Sequence, residues 1–291
     1  MIMFNKQKIN CTLSIIIVNF NNKELLLECL SSIKSKVNDI IYEIIVVDNA
    51  STDGSPEVLQ EDHQDIVLIS NNENRGFSAA NNQGAARAAG DYLLFLNNDT
   101  KIIDGSFDRM IRVFSNQNIG MIGLGLINKD GTPQVQGGLF GKKFWKSKSM
   151  LYVDFVIGAA MVIPKQLFTE IGGFDENYKF FNEDIDICKK IKQGNYRIVF
   201  YPDVKIIHYG GSMNRYLSEF SIIEGYTGGL YFFKKHYGKV LLPIYKILVI
   251  TDLLSRIIIT TIKKIYDQEP ERILQMKEAY YKTIRLVIKY S

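Results

Sequence analysis

Four short apolar runs alternate with helical patterns across the first hundred residues, and that alternation leaves few folds open. The runs cover residues 13–19, 43–49, 66–69 and 92–99 and are rich in Ile, Val and Leu. Runs that are apolar throughout, rather than at every second position, read as strands buried on both faces. Between them, Leu25, Leu26, Cys29, Leu30 and Ile33 share one helix face, entered through Asn21-Asn22. A second helix starts from the turn 49–56, and a small-residue helix over 78–89 is entered through Arg75-Gly76. The β-α-β-α-β-α-β order implies a parallel sheet with right-handed crossovers. Such sheets bind ligands outside the carboxyl ends of their strands. Asp48 and Asp99 each end a strand on that side, so both acids are expected to reach one crevice.

Past residue 105 the alternation loosens. Residues 119–127 read as a strand, 128–133 as a turn, and 155–163 as an apolar small-residue segment closed by Pro164. A helix over 184–193 stops at Gly194, and 197–201 and 204–208 are short strands separated by Pro202-Asp203. Residues 137–150 are rich in Gly, Lys and aromatics and form a mobile loop. Trp145, the one tryptophan, lies there with Phe140 and Phe144. Its ring either stacks on a ligand as part of a lid or anchors the loop by burial.

The net charge of +4 conceals an asymmetry: residues 227–291 carry 12 Lys/Arg against 5 Asp/Glu, leaving 23 against 26 in the rest. The basic tail is also very apolar, especially over 241–265, which argues for a membrane surface rather than nucleic acid. Lys246, Asp252 and Arg256 interrupt that stretch, so a spanning helix is not expected. A core or homo-oligomer helix is the other use for it. Lys263-Lys264 and a helix over 270–289 extend the basic and apolar character. Cys11, Cys29 and Cys188 form no paired framework, and residues 1–6 lack a signal-peptide core. Both features point to a cytoplasmic protein, and the basic, apolar tail to a peripheral place at the inner membrane face.

Several residues carry chemistry on their own terms. Asp48 offers acceptor oxygens to the ring N–H of a pyrimidine base, or forms an Asx turn with the residues after it. Asp53 beside Gly54 is a helix N-cap. Arg75-Gly76 opens a helix whose N-terminus suits a diphosphate, or simply starts the helix. Glu183, Asp184 and Asp186 fit a first helical turn. His208 is either a ligand or a core histidine, and His63 and His236 are read as structural.

Taken together, these segments resemble an inverting glycosyltransferase of family 2 with the GT-A fold. The resemblance rests on residues 14–21, 46–55, Asn74-Arg75-Gly76-Phe77 with Asn81-Asn82 and Gly84, and Leu96-Asn97-Asn98-Asp99-Thr100. Gly172-Gly173-Phe174-Asp175-Glu176, Glu183-Asp184-Ile185-Asp186 and Ile207-His208-Tyr209-Gly210-Gly211 follow in order. It covers residues 12–215 and looks most like the rhamnosyltransferase branch of bacterial surface-polysaccharide synthesis. It implies a GT-A mixed sheet flanked by helices over 1–215, followed by a helical amphipathic extension over 216–291. By resemblance, Val18, Phe20, Asp48, Arg75, Gly76, Asn98 and Asp99 contact a UDP- or dTDP-linked sugar. Asp99 and His208 hold Mn²⁺ or Mg²⁺, Asp184 is the general base, and Glu183 meets a glycan or lipid-linked acceptor; Trp145 joins the acceptor side if its ring stacks on a sugar face. Gly172–Gly173 form a flexible loop near the donor or acceptor. One departure stands out: Asn97 replaces the first acid of the fold's Asp-x-Asp metal signature. The account requires residues 48, 99, 184 and 208 to line a single cavity.

Two rivals remain. A nucleotidyltransferase needs a basic Gly-rich loop after the first strand, where this chain has Asn19-Phe20-Asn21-Asn22. A non-catalytic nucleotide-sugar binder is suggested by Asn97 and opposed by Glu183-Asp184 and His208.

Overall fold

The computed structural model describes residues 11–115, 118–136, 143–210, 219–263 and 270–291. The N-terminal segment 1–6, the first part of the aromatic loop with Phe140, Gly211 and Lys264 lie outside these residues. Two compact units form, one of Met1–Glu176 with Ile187–Tyr209, the other of Asn177–Asp186 with Gly210–Ser291.

The first unit is built on one nine-stranded mixed sheet. Its parallel half is β1 (Leu13–Asn19), β2 (Tyr42–Asp48), β3 (Val67–Ser70) and β4 (Tyr92–Leu96), in the order β3-β2-β1-β4. The crossovers are α1 (Lys23–Lys36), α2 (Ser55–Asp62) and α3 (Gly76–Arg87). In β1, Ile15 and Ile17 enter one core layer with Leu26 and Leu30 of α1, while Ile16 enters the other with Ala80 of α3. That is the two-residue strand period with both faces covered, hence the uninterrupted apolar run. The small residues of α3 serve its approach to the sheet: a Cβ on Gly84 would sit 2.5 Å from the Ile16 side chain. Asp53 ties two helix starts together, accepting from the Lys23 N–H at 2.8 Å and the Ser55 N–H at 3.1 Å.

The other half is mostly antiparallel. It comprises β5 (Thr100–Asp104), β6 (Ile119–Ile127), β7 (Leu151–Val153), β8 (Ala160–Pro164) and β9 (Arg197–His208). β8 joins the halves by pairing antiparallel with β4, and the order continues β8-β6-β9-β5, with β7 also on β9. The two short strands expected around Pro202 are one strand of 12 residues. Its register against β6 jumps from Leu124↔Tyr201 to Gly125↔Lys205, so Pro202-Asp203-Val204 bulge out. Proline cannot donate to a ladder, and a bulge absorbs that lapse without ending the strand. The continuity carries His208 back beside Thr100, its cross-strand partner. Three helices complete the described part of this unit's flanks: α4 (Phe107–Arg112), α5 (Lys165–Glu170) and α6 (Glu183–Gln193), whose first turn belongs to the second unit.

The second unit packs α7 (Glu219–Tyr237), α8 (Leu242–Lys263) and α9 (Pro270–Lys289) around Leu230, Leu253, Ala279 and Val287. Among the described residues no helix is long and apolar enough to cross a membrane.

Candidate active site

At the carboxyl edge of the parallel strands, side-chain amides knit the strand ends together. Asn19, fully buried at the end of β1, donates to Asp48 Oδ1 at 3.0 Å and to Ser51 Oγ at 3.2 Å. Its own Oδ1 accepts from Asn98 Nδ2 at 2.8 Å, and Asn22 Nδ2 reaches Asn98 Oδ1 at 3.3 Å. The relay therefore links Asp48 to Asn98, the residue beside Asp99. Asp48 Oδ2 also accepts the Ser51 N–H at 2.8 Å, with Ala50 in the left-handed region at φ 65°. The Asx turn is thus real, and each carboxylate oxygen still keeps a second lone pair. Val18 is half-buried and Phe20 exposed at this same edge.

Asp99 and His208 meet. His208 Nε2 lies 3.4 Å from Asp99 Oδ1 and 3.4 Å from Asn97 Nδ2. The other ring nitrogen, Nδ1, is 2.7 Å from Gln134 Oε1. The Gln134 amide has little choice of orientation, because its Nε2 donates to the His208 carbonyl at 3.2 Å and to Asn128 Oδ1 at 3.4 Å. Gln134 Oε1 must then accept, so Nδ1 carries the hydrogen and Nε2 is the ring atom left toward Asp99 and Asn97. With Nε2 unprotonated, a cation beside the carboxylate could take its lone pair. Adjacent ligands of an octahedral cation bound at about 2.1 Å stand about 3 Å apart, close to the spacing here. The donor set fits a hard divalent ion, and the Gln134 contact is the outer-shell bond that metal-binding histidines make. Among the described residues no group of three or more His, Cys, Asp or Glu could hold a metal ion. Cys29 does not join: burial pushes its thiol up to about 12, and it lies 3.5 Å from Thr100 Oγ1.

Gly76, at φ 80°, begins α3 with its N–H held by Asn74 Oδ1 at 3.0 Å, and the exposed Arg75 precedes it. Asn49 Nδ2 donates to the Gly76 carbonyl at 3.2 Å, fixing the helix start against the end of β2. The loop at Gly172–Gly173 is pinned rather than flexible. Asn82 brackets Phe174 with bonds to its carbonyl and N–H at 2.9 and 3.0 Å, and Lys190 reaches the Gly173 carbonyl at 2.8 Å. Trp145 is 7% exposed, packed edge-on against Phe144 at 5.5 Å, with Phe200 beneath. This side chain is a buried anchor of the described part of its loop.

In the second unit, Phe181 and Asn182 both occupy the left-handed region, at φ 67° and 69°, immediately before α6. A bulky residue there is strained, and strain of this kind gathers at functional sites. Asn182 is held by its bond to the Gly225 carbonyl at 3.0 Å. Glu183 is buried, and its Oε2 has no hydrogen-bond partner among the described residues. Burial first, and the neighbouring Asp184 charge second, push the Glu183 carboxyl up to about 8. Asp184 is half-buried, with Oδ1 2.8 Å from the Ile185 N–H. Asp186 turns to a separate buried cluster, accepting from Lys235 at 2.8 Å, His236 Nε2 at 2.7 Å and Tyr178 at 3.2 Å.

Sequence reasoning missed Asn19 and Gln134. Asn19 could have been found as a polar residue ending a fully buried strand, whereas nothing in the local pattern marks Gln134.

A mixed sheet with a parallel nucleotide-type half, strand-end acids at its carboxyl edge and flanking helices is the GT-A architecture. A family model, "Glycosyl transferase family 2", matches residues 14–160, and the chain belongs to that family. Among curated relatives, the O-antigen biosynthesis protein RfbC of Myxococcus xanthus is 27% identical over 69% of this chain and 17% of its own length. The low-salt glycan biosynthesis hexosyltransferase Agl10 of Haloferax volcanii is 28% identical over 67% of this chain and 66% of its own. An N-acetylglucosaminyl-diphospho-decaprenol L-rhamnosyltransferase of Mycobacterium tuberculosis is 23% identical over 57% and 66%. This chain thus spans about two thirds or less of these relatives. Among solved structures, the mannosyltransferase PcManGT from Pyrobaculum calidifontis, in complex with GDP-Man and Mn²⁺, aligns over 97% of this chain and 76% of its own at TM-score 0.60 and 17% identity. GalNAc-T7 with UDP, GalNAc and Mn²⁺ aligns over 69% and 44% at TM-score 0.57 and 18% identity.

Proposed function

We propose that this chain is an inverting, divalent-cation-dependent glycosyltransferase of cell-surface polysaccharide synthesis. It transfers a sugar, rhamnose in our reading, from a UDP- or dTDP-linked donor to a hydroxyl of a glycan or lipid-linked acceptor. Residues 1–215 carry catalysis and 216–291 form the extension, with the protein peripheral at the cytoplasmic membrane face. The observation that carries the reading is the Asp99–His208 pair, with the histidine tautomer fixed by Gln134.

Within this reading Asp48 accepts the ring N–H of the base, with Val18 and Phe20 beside it and Asn98 on the ribose-diphosphate side. Asp99 and His208 would hold Mn²⁺ or Mg²⁺, whose charge offsets that of the departing diphosphate. Arg75 and the α3 N-terminus at Gly76 favour the same anion. Asp184 takes the proton of the acceptor hydroxyl as its oxygen bonds to the anomeric carbon. The carbon–oxygen bond to the nucleotide diphosphate breaks on the opposite face, which inverts the centre. Glu183, its carboxyl pushed up to about 8 by burial, donates a hydrogen bond to the acceptor sugar.

The reading is tested by donor turnover with Mn²⁺, scoring transfer and release of free nucleotide diphosphate. Asp184→Asn should abolish both while donor binding persists. Full turnover in that variant removes Asp184 from the base role, and a wild-type chain that binds donor but never releases nucleotide is a binder instead.

A further inference from the structure

Helix α8 turns its uncharged face outward. Ile244, Ile247, Leu248, Leu254, Ile258 and Ile262 recur at helical spacing, and each is between 47% and 64% exposed. Thr251 and Ser255 fill the gaps, so no charge interrupts this face from Ile244 to Ile262. The charged side chains described on the helix lie elsewhere on it. Lys246 donates to the Ile288 and Tyr290 carbonyls at 2.9 and 3.1 Å, and Arg256 pairs with Asp252 at 2.8 Å. A soluble helix normally presents the reverse pattern. From Ile244 to Ile262 the stripe runs about 27 Å along the 22-residue helix, longer than the scattered apolar side chains of an ordinary surface. Val240, 88% exposed in the turn before α8, continues it.

The surroundings identify the occupant. Residues 227–291 carry 12 basic against 5 acidic groups, and exposed Lys239 sits at the entry to the stripe. A second copy pairing through α8 would bring two such basic excesses together, whereas an anionic bilayer complements them. We propose that the outer face of α8 lies in the interface of an anionic bilayer, apolar side chains inserted at the headgroup–acyl boundary. This deepens the membrane-surface part of the proposed function by naming the face and the lipid charge. It rests on that reading for its context alone, since the assay below contains neither donor nor acceptor.

The test is flotation of the full chain with vesicles of phosphatidylcholine, alone or with about 30% phosphatidylglycerol. The triple variant Ile244→Ser, Ile247→Ser, Ile258→Ser keeps the net charge and alters only exposed positions, and its helix content is checked by circular dichroism. We expect the wild type to float with anionic vesicles, the variant to bind at least tenfold more weakly, and neutral vesicles to recover little of either. Equal flotation of variant and wild type overturns the proposal, as does a wild type that ignores anionic vesicles. A vesicle-free wild-type dimer that the serine variant dissociates overturns it too, by giving the face to a second copy. Donor turnover measured in parallel without lipid reports on the transferase reading separately.

Discussion

His208 Nε2 faces Asp99 Oδ1 across 3.4 Å while Gln134 holds the opposite ring nitrogen at 2.7 Å. The arrangement is made by backbone pairing, since Thr100 and His208 are register partners on β5 and β9. The histidine is thereby oriented by the fold itself. Gln134→Leu removes the acceptor that fixes Nδ1–H and should weaken Mn²⁺ binding about 10- to 100-fold, with little change in fold. Calorimetric titration with Mn²⁺ in the presence of nucleotide diphosphate checks it.

Asn19 supports two strand ends at once, so its loss should be felt as stability. Asn19→Ala strands Asp48 Oδ1 and Asn98 Nδ2 and should cost about 1–3 kcal/mol in urea unfolding at pH 7. Asn19→Asp sets a second carboxylate against Asp48 and should cost more. The gap between the two variants should narrow as pH falls, because a proton shared between the paired carboxylates removes their repulsion.

Glu183 makes native stability depend on pH. Its carboxyl titrates near 4.5 when unfolded and near 8 when folded. Between those values the native chain holds a proton that the unfolded chain has lost, so this group's contribution is full at low pH and lost as pH rises. The slope is at most about 1.4 kcal/mol per pH unit. Glu183→Gln, neutral at every pH, should remove that part of the slope in denaturant unfolding between pH 5 and 8.

Asp186 is a different kind of acid from its neighbours. It is 1% exposed and receives Lys235 and His236 from α7, joining the start of α6 to that helix. Asp186→Ala leaves buried donors without an acceptor and should cost about 3–5 kcal/mol, read as a lowered melting temperature.

Asp48 was legible because a carboxylate that ends a buried apolar run has few packing roles, and it is the last residue of β2. Asp99 lies three residues past the end of β4, in the turn before β5, so the run it was read from is shorter than expected. The parallel half-sheet was legible from the same buried apolar runs. Gln134 was not, because its role depends on a return to β9, 74 residues away in sequence. The bulge at Pro202 was misread as a break, since proline marks a lost hydrogen bond without saying whether the strand continues. The left-handed backbone at Phe181 has no sequence signal: a phenylalanine adopts it only under tertiary constraint. Trp145 carried two readings, and burial against Phe144 and Phe200 describes it as an anchor.

The most direct test is calorimetry of UDP and dTDP binding with and without Mn²⁺, comparing the wild type with Asp99→Ala. The account expects wild-type affinity to rise at least tenfold on adding Mn²⁺ and the variant to show no such rise. Equal Mn²⁺ enhancement in both proteins would contradict the assignment of Asp99 and His208 as the cation's holders.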